Sequence, residues 1–308
     1  MRFSLYLPNN SRGFTLVEAI VVIVITGIIA GMVAVFIRSP VDGYVDAQRR
    51  SELSDVADTA MRRMARDFRL ALPNSIRTAG VGAAVADDQC LEFIPTKIGA
   101  RYRAVVDGAT GNGNVLDFTT SDDSFDMLWS NAALPAESRI VAGDVIVVYN
   151  DGSDTGNAYS GSNAIQVAAG GVAEPGGTAG STAVTFVGAA AAVPFDRKRL
   201  PAESPFGRFQ VIPAGSHVVA YRCDNGTLTR NVRVLAGAWV RPATCAAMVA
   251  GATASTLATN VGVCSLRYDP PGASTGLSRF GIVSISLEMT DGGETVNLYD
   301  QIHVDNTP

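Results

Sequence analysis

One carboxylate, Glu18, stands in an otherwise apolar or small run from Phe14 to Ile37. An ionised carboxylate inside hydrocarbon is costly unless paired, so an acid in such a run marks function and its natural partner is a cation. Gly13, just ahead of the run, has no side chain and lets a protease approach the backbone closely. Cleavage after Gly13 would leave a positive amine on Phe14, one helical turn from Glu18. The two charges are each expensive alone in lipid and cheaper as a pair. If the amine belongs to a neighbouring subunit, the pair sets the axial register of an assembly.

Four cysteines follow: Cys90, Cys223, Cys245 and Cys264. An even number beyond a membrane segment, in an oxidising compartment, reads as two disulfides with three connectivities. Strand placement favours Cys223–Cys264, leaving Cys90–Cys245. No Cys-x-x-Cys pair is present, so zinc and thioredoxin chemistry are not expected. The two histidines, His217 and His303, sit in strand patterns and read as ordinary strand residues. Gly272-Ala273-Ser274-Thr275-Gly276 has nucleophile-elbow spacing but follows Pro270-Pro271 and lacks the strand–turn–helix context. The acidic runs 122–126 and 150–154 lack EF-hand spacing and read as solvated turns. Phosphate-loop, dinucleotide and zinc-protease motifs are absent. No enzyme activity, cofactor or metal is expected.

These residues need elements to hold them. Residues 1–13 form a short leader with Arg2 and Arg12. Residues 14–37 are long enough as a helix to cross a hydrocarbon core of about 30 Å. They run past the length of a cleavable secretory signal. The cations ahead of the span put the leader in the cytoplasm and the C-terminal bulk in the periplasm, across the inner membrane. Pro40 and Gly43 predict a kink or short break. The helix resumes over 38–72 with an apolar stripe through Leu53, Ala57, Ala60, Met61, Met64, Phe68 and Leu72, a core face, and Pro73 ends it. The arginines between them read as a solvated or subunit-facing side.

From 73 to 308 the periodicity becomes that of strands, predicted over 91–94, 102–106, 115–118, 144–149, 184–187, 217–223, 227–235, 282–289 and 296–304. Asp224-Asn225-Gly226 and Asp291-Gly292-Gly293 are hairpin signals. The Gly/Ala-rich stretches 150–181 and 188–194 read as long loops, and 236–260 as a loop with one helical turn. The expected fold class is α+β, a long N-terminal helix on a mostly antiparallel sheet. The formal net charge of −5 argues against a nucleic-acid partner.

Gly13-Phe14-Thr15-Leu16-Val17-Glu18, with a basic leader before it and an apolar run after it, resembles the processing site of type IV pilins and type II secretion pseudopilins. The resemblance implies cleavage between Gly13 and Phe14 by a membrane prepilin peptidase, N-methylation of Phe14, and a pilin-like fold. It also implies assembly, aided by Glu18, with a major pilin and other minor pilins or pseudopilins. The run 90–95 with 101–103, the hairpin 221–230 and the ending 304–308 resemble the MshO-type minor pilins of mannose-sensitive haemagglutinin pilus systems. The same hairpin and C-terminal strands also resemble J-type minor pseudopilins of type II secretion. A structural subunit that primes or tips a filament is therefore expected. A binding module that borrows the anchor would need a second core, for which the loop-rich head leaves limited room.

Overall fold

A computed structural model describes residues 13–80, 87–187, 199–270 and 280–308. The chain divides into two compact units, residues 1–52 and 53–308. Helix α1 (Leu16–Arg69) begins in the first and continues into the second. Contrary to expectation, Pro40 and Gly43 do not break it. Proline removes one amide donor from the ladder, at a cost of about 3 kcal/mol, and the turns on either side keep their own bonds. Thr26, within the apolar run, donates its hydroxyl back to the carbonyl of Val22 at 2.5 Å, so its polarity is spent locally.

In the second unit the helix ends at Arg69, short of Pro73. The departing backbone is captured by the strand side instead: the amide of Leu72 bonds to Ile94 at 2.8 Å and that of Thr96 to Leu70 at 2.8 Å. The strands run β1 (Arg77–Ala79), β2 (Asp87–Phe93), β3 (Ile98–Arg101), β4 (Ser124–Met127), β5 (Val145–Val147), β6 (Ala164–Ala173), β7 (Thr182–Phe186), β8 (Arg208–Ile212), β9 (Val218–Asp224) and β10 (Thr227–Arg233). After a one-turn helix, α2 (Cys245–Val249), come β11 (Thr253–Thr259), β12 (Val261–Asp269), β13 (Phe280–Asp291) and β14 (Glu294–Asp305).

Two antiparallel sheets, ordered β1-β2-β9-β10-β11 and β12-β13-β14, share one core with the helix stripe Leu53–Phe68. Phe68 is fully buried between Phe93 and Tyr221, with ring centroids at 5.1 and 5.5 Å. At the rim of this contact Asp67 accepts from Tyr221 Oη at 2.8 Å and from Arg230 Nε at 2.7 Å. Burial, with the Asp67 charge beside it, pushes the Tyr221 hydroxyl well above its ordinary pKa, so it stays a donor. The α+β class and the helix-on-antiparallel-sheet packing are thus as the sequence predicted.

The larger departure lies between β2 and β9. These strands pair directly, Cys90 with Arg222 through Phe93 with Val219, yet residues 94–217 are inserted between them. The insertion holds a third antiparallel sheet, β3-β8-β5-β6-β7-β4, whose two ends meet. Tyr102 bridges Met127, the amide of Leu128 bonds to Arg101 at 2.9 Å, and that of Arg103 to Asp126 at 2.8 Å. The result is a small six-stranded barrel with its own core around Phe125, Phe186 and Phe209. Strand β5 and its flank alternate strictly: Ile146 and Val148 point into the barrel, while Val145 and Val147 pack with Leu72, Ile94 and Ile212 beneath it.

Several expectations are corrected here. The stretch 150–181 is not a long loop, since it carries β6; its Gly and Ala residues fit the barrel wall, where small side chains suffice. Residues 115–118 are not a strand, although Leu116 is buried. In the region of 102–106 the strand lies earlier, at β3, and Tyr102 keeps only an isolated bridge. Residues 236–260 contain the anticipated turn of helix, α2, and also β11. The head does have room for a second core. The stretch 188–194 and the run 272–276 lie outside the described residues.

The barrel core should be separable from the helix core in stability. Phe125→Ala removes a fully buried ring and should cost about 3–5 kcal/mol. Hydrogen exchange should then show accelerated exchange in β3 to β8 while β9, β10, β13 and β14 stay protected.

Candidate processing and assembly site

The chain enters α1 through Gly13, Phe14 and Thr15, which are not helical and are exposed. Thr15 is the N-cap. Its carbonyl accepts from the amide of Ala19 at 3.1 Å and its hydroxyl from the amide of Glu18 at 3.3 Å. Thr15-Leu16-Val17-Glu18 is thus a capping-box sequence: the Thr15 carbonyl accepts the first intrahelical bond, and its hydroxyl satisfies one of the four orphan amides, that of Glu18. This role of Thr15 was readable from the S/T-x-x-E spacing and was missed. A sharply defined helix start leaves Gly13–Phe14 as accessible backbone directly outside it.

Glu18 lies on the first helical turn, where the macrodipole favours an anion. Its side chain is exposed, and among the described residues no cation pairs with it. The surrounding side chains, from Phe14 and Leu16 to Phe36 and Ile37, are also exposed. Residues 14–37 form an apolar surface that nothing among the described residues covers, unlike the core helix of a water-soluble protein. The helix is long and apolar enough to cross a membrane.

The remaining candidates are structural. Cys90 links to Cys245 and Cys223 to Cys264, with Cα separations of 5.7 and 6.2 Å, within the ordinary range. The first ties β2 to α2; the second ties β9 to β12 and so staples the two head sheets together. Among the described residues no cysteine is free, and no cluster of three or more His, Cys, Asp or Glu could hold a metal. His217 is buried; its Nδ1 accepts from the amide of Leu235 at 3.0 Å, and burial lowers its pKa below the usual imidazole value. His303 is exposed on β14. In the acidic runs, Asp122 accepts from the amides of Asp117 and Ser124, Asp126 is buried against Arg103 at 3.4 Å, and Asp151 caps Ser153. Asp122 and Asp151 are turn-forming carboxylates, whereas Asp126 lies on β4 and, contrary to the solvated-turn expectation, is buried.

Sequence reasoning also missed the buried acid Glu92, on the face of β2 turned away from α1. It is fully buried, paired with Arg77 Nε at 2.5 Å, and accepts from Trp239 Nε1 at 3.1 Å. The alternation Leu91-Glu92-Phe93 carried the signal, a charged residue in a strand whose other face is core.

The prokaryotic N-terminal methylation motif matches residues 8–34. No curated protein and no solved structure matches the chain. The motif supports a type IV pilin or pseudopilin, a structural protein processed by prepilin peptidase and assembled with other pilins. The helix that carries this motif is long and apolar enough to anchor the chain in a membrane, and a long N-terminal helix packed on antiparallel sheets is consistent with a type IV pilin-like fold.

Proposed function

We propose that this chain is a minor subunit of a type IV pilus-like filament, cleaved between Gly13 and Phe14, N-methylated on Phe14, and incorporated through Glu18. The observation that carries the reading is the methylation motif over residues 8–34, set on a capped helix whose apolar surface and acid have no partner within the chain's described residues. Glu18 then pairs with the Phe14 amine of a neighbouring subunit in the membrane. The leader is cytoplasmic and the head periplasmic, where the two disulfides can form. The head's resemblance in 90–95 with 101–103, in 221–230 and in 304–308 favours a mannose-sensitive haemagglutinin pilus of MshO type. A minor pseudopilin of type II secretion is the alternative.

The minor role rests on the insertion. A major subunit repeats on a helical lattice, and all its lateral faces must accept copies of itself. The barrel of 94–217 adds two adjoining clefts sharing Arg101 and Leu128, with Trp129 and Phe206 exposed along them. Exposed apolar patches of that kind mark recognition of something other than solvent. They suit a subunit at low copy number, below the tip or in an initiation complex. They equally favour a second reading, a binding module that borrows a pilin anchor; under it Glu18 would be dispensable for the chain's associations.

Intact mass of membrane-extracted protein should place the mature N-terminus at methylated Phe14, and Gly13→Val should block cleavage. An N-terminus at Met1 or beyond Ile37 in the wild type overturns the processing reading. Glu18→Ala should leave membrane insertion intact, because the span becomes more apolar, yet abolish co-purification with other pilins; unchanged co-purification overturns the pairing role. Quantitative mass spectrometry of sheared filaments should find the chain far below the major pilin, and near-equal amounts refute the minor role.

A further inference from the structure

We infer that the groove between the end of α1 and strand β14 receives an acidic, extended segment of a partner chain, which adds to β14 as an extra strand. The groove has a volume of about 600 Å³. Met61 and Ala65 of the helix and Leu298 of β14 give it an apolar floor, and Arg66 and Arg69 form its rim. All of these residues belong to the head unit, and the inference holds whether or not the chain enters a filament.

Two independent features point to the occupant. The first is backbone. β14 is the outer strand of its sheet and pairs with β13 in unbroken register from Asp291↔Glu294 to Phe280↔Asp305. Its other edge has no strand partner among the described residues. Proteins usually blunt such an edge with charged side chains, lysine above all, or with proline, a bulge or a covering element; the charges β14 carries are the acids Glu294, Asp300 and Asp305. β14 has no proline, no lysine and no bulge over its twelve residues. An exposed edge of this length is a template for strand addition.

The second feature is charge. Arg62 in the groove is neutralised by Asp58 at 2.6 Å, and Arg63 nearby faces Asp67 at 3.6 Å. Arg66 and Arg69 are exposed and have no ion pair or hydrogen bond from their side chains among the described residues. On the strand side Asp300 is the one carboxylate of the lining, so the unpaired surplus is positive. In an added strand, alternate side chains turn toward the helix at about 6.6–6.8 Å spacing. Arg66 and Arg69, three residues apart on α1, have Cβ atoms about 5–6 Å apart. Two acids separated by one residue therefore meet the two guanidinium groups, and charge-assisted pairing selects acidic over basic strands.

The test uses the full-length chain in detergent micelles and a fluorescein-labelled nine-residue peptide of alternating Val and Asp. Fluorescence anisotropy should show binding that weakens with added salt. The peptide with Lys in place of Asp should not bind. Two N-methylated versions, one on all Val amides and one on all Asp amides, should differ, because alternate amides of a strand face opposite edges: one version loses binding and the other keeps it. Arg66→Glu with Arg69→Glu should weaken binding by about tenfold or more, while Arg267→Glu, exposed on β12 and outside the groove, leaves it unchanged. The double variant loses no hydrogen bond or ion pair among the described residues, but its two acids oppose the helix dipole at the last turn of α1; its thermal unfolding should therefore stay cooperative, at a slightly lowered midpoint, and report a folded protein. Equal binding of the Lys peptide, tolerance of both N-methylated versions, or full affinity of the double variant each overturns the inference.

Discussion

Burial of one helical stripe, Leu53 to Phe68, is the contact on which the head depends. Both head sheets lay apolar faces on it, while the opposite face of the five-stranded sheet packs the small cluster of Cys90, Ala220 and Met248. Phe68 sits at the centre with Phe93 and Tyr221, and the Asp67–Tyr221–Arg230 group fixes the rotation of the helix about its axis. Area burial supplies most of the free energy and the directional bonds supply orientation. The Cys223–Cys264 bridge then holds the two sheets at the edge where they approach.

With that core in place, the insertion of 94–217 costs little. β2 and β9 pair whether or not a domain lies between them, and loop-closure entropy grows only slowly with length. The barrel carries its own aromatic core and has no open edge at the β3–β4 seam. It is joined to the head by a second, smaller cluster in which Val145, Val147 and Ile212 meet Leu72, Val218 and Leu235; within the insertion Lys97 pairs with buried Asp144 at 2.5 Å. Glu92 with Arg77 and Trp239 sits beside the same junction. Such a buried pair is weak evidence for stability but strong evidence for a fixed geometry, since removing one partner strands the other.

The two halves of α1 obey different solvents. Residues 14–37 expose branched aliphatic side chains on all sides, a surface stable only in lipid or against other apolar helices. Residues 53–69 alternate core and charge. Arg66 and Arg69 belong to the second regime, turned away from the core, at the place where β14 leaves its edge open.

The N-terminal site was legible in the sequence because everything about it is local. A glycine before the run, an acid four residues after Phe14, and apolar residues on every side need no tertiary contact to be recognised. The helix stripe, the hairpins at Asn225-Gly226 and Gly292-Gly293, and the last two strands were legible for the same reason, their period being written in adjacent residues. The barrel was not. Its closure is a non-local bond pattern between Tyr102 and Met127, and β6 is rich in Ala and Gly, which carry no strand signal of their own. Pro40 misled because a proline's local penalty is fixed, while the length of helix that absorbs it is not. Sequence alone determined the apolar run, its acid and the N-terminal methylation motif; tertiary structure alone decided that a second core exists, since only long-range pairing of weakly patterned strands builds it.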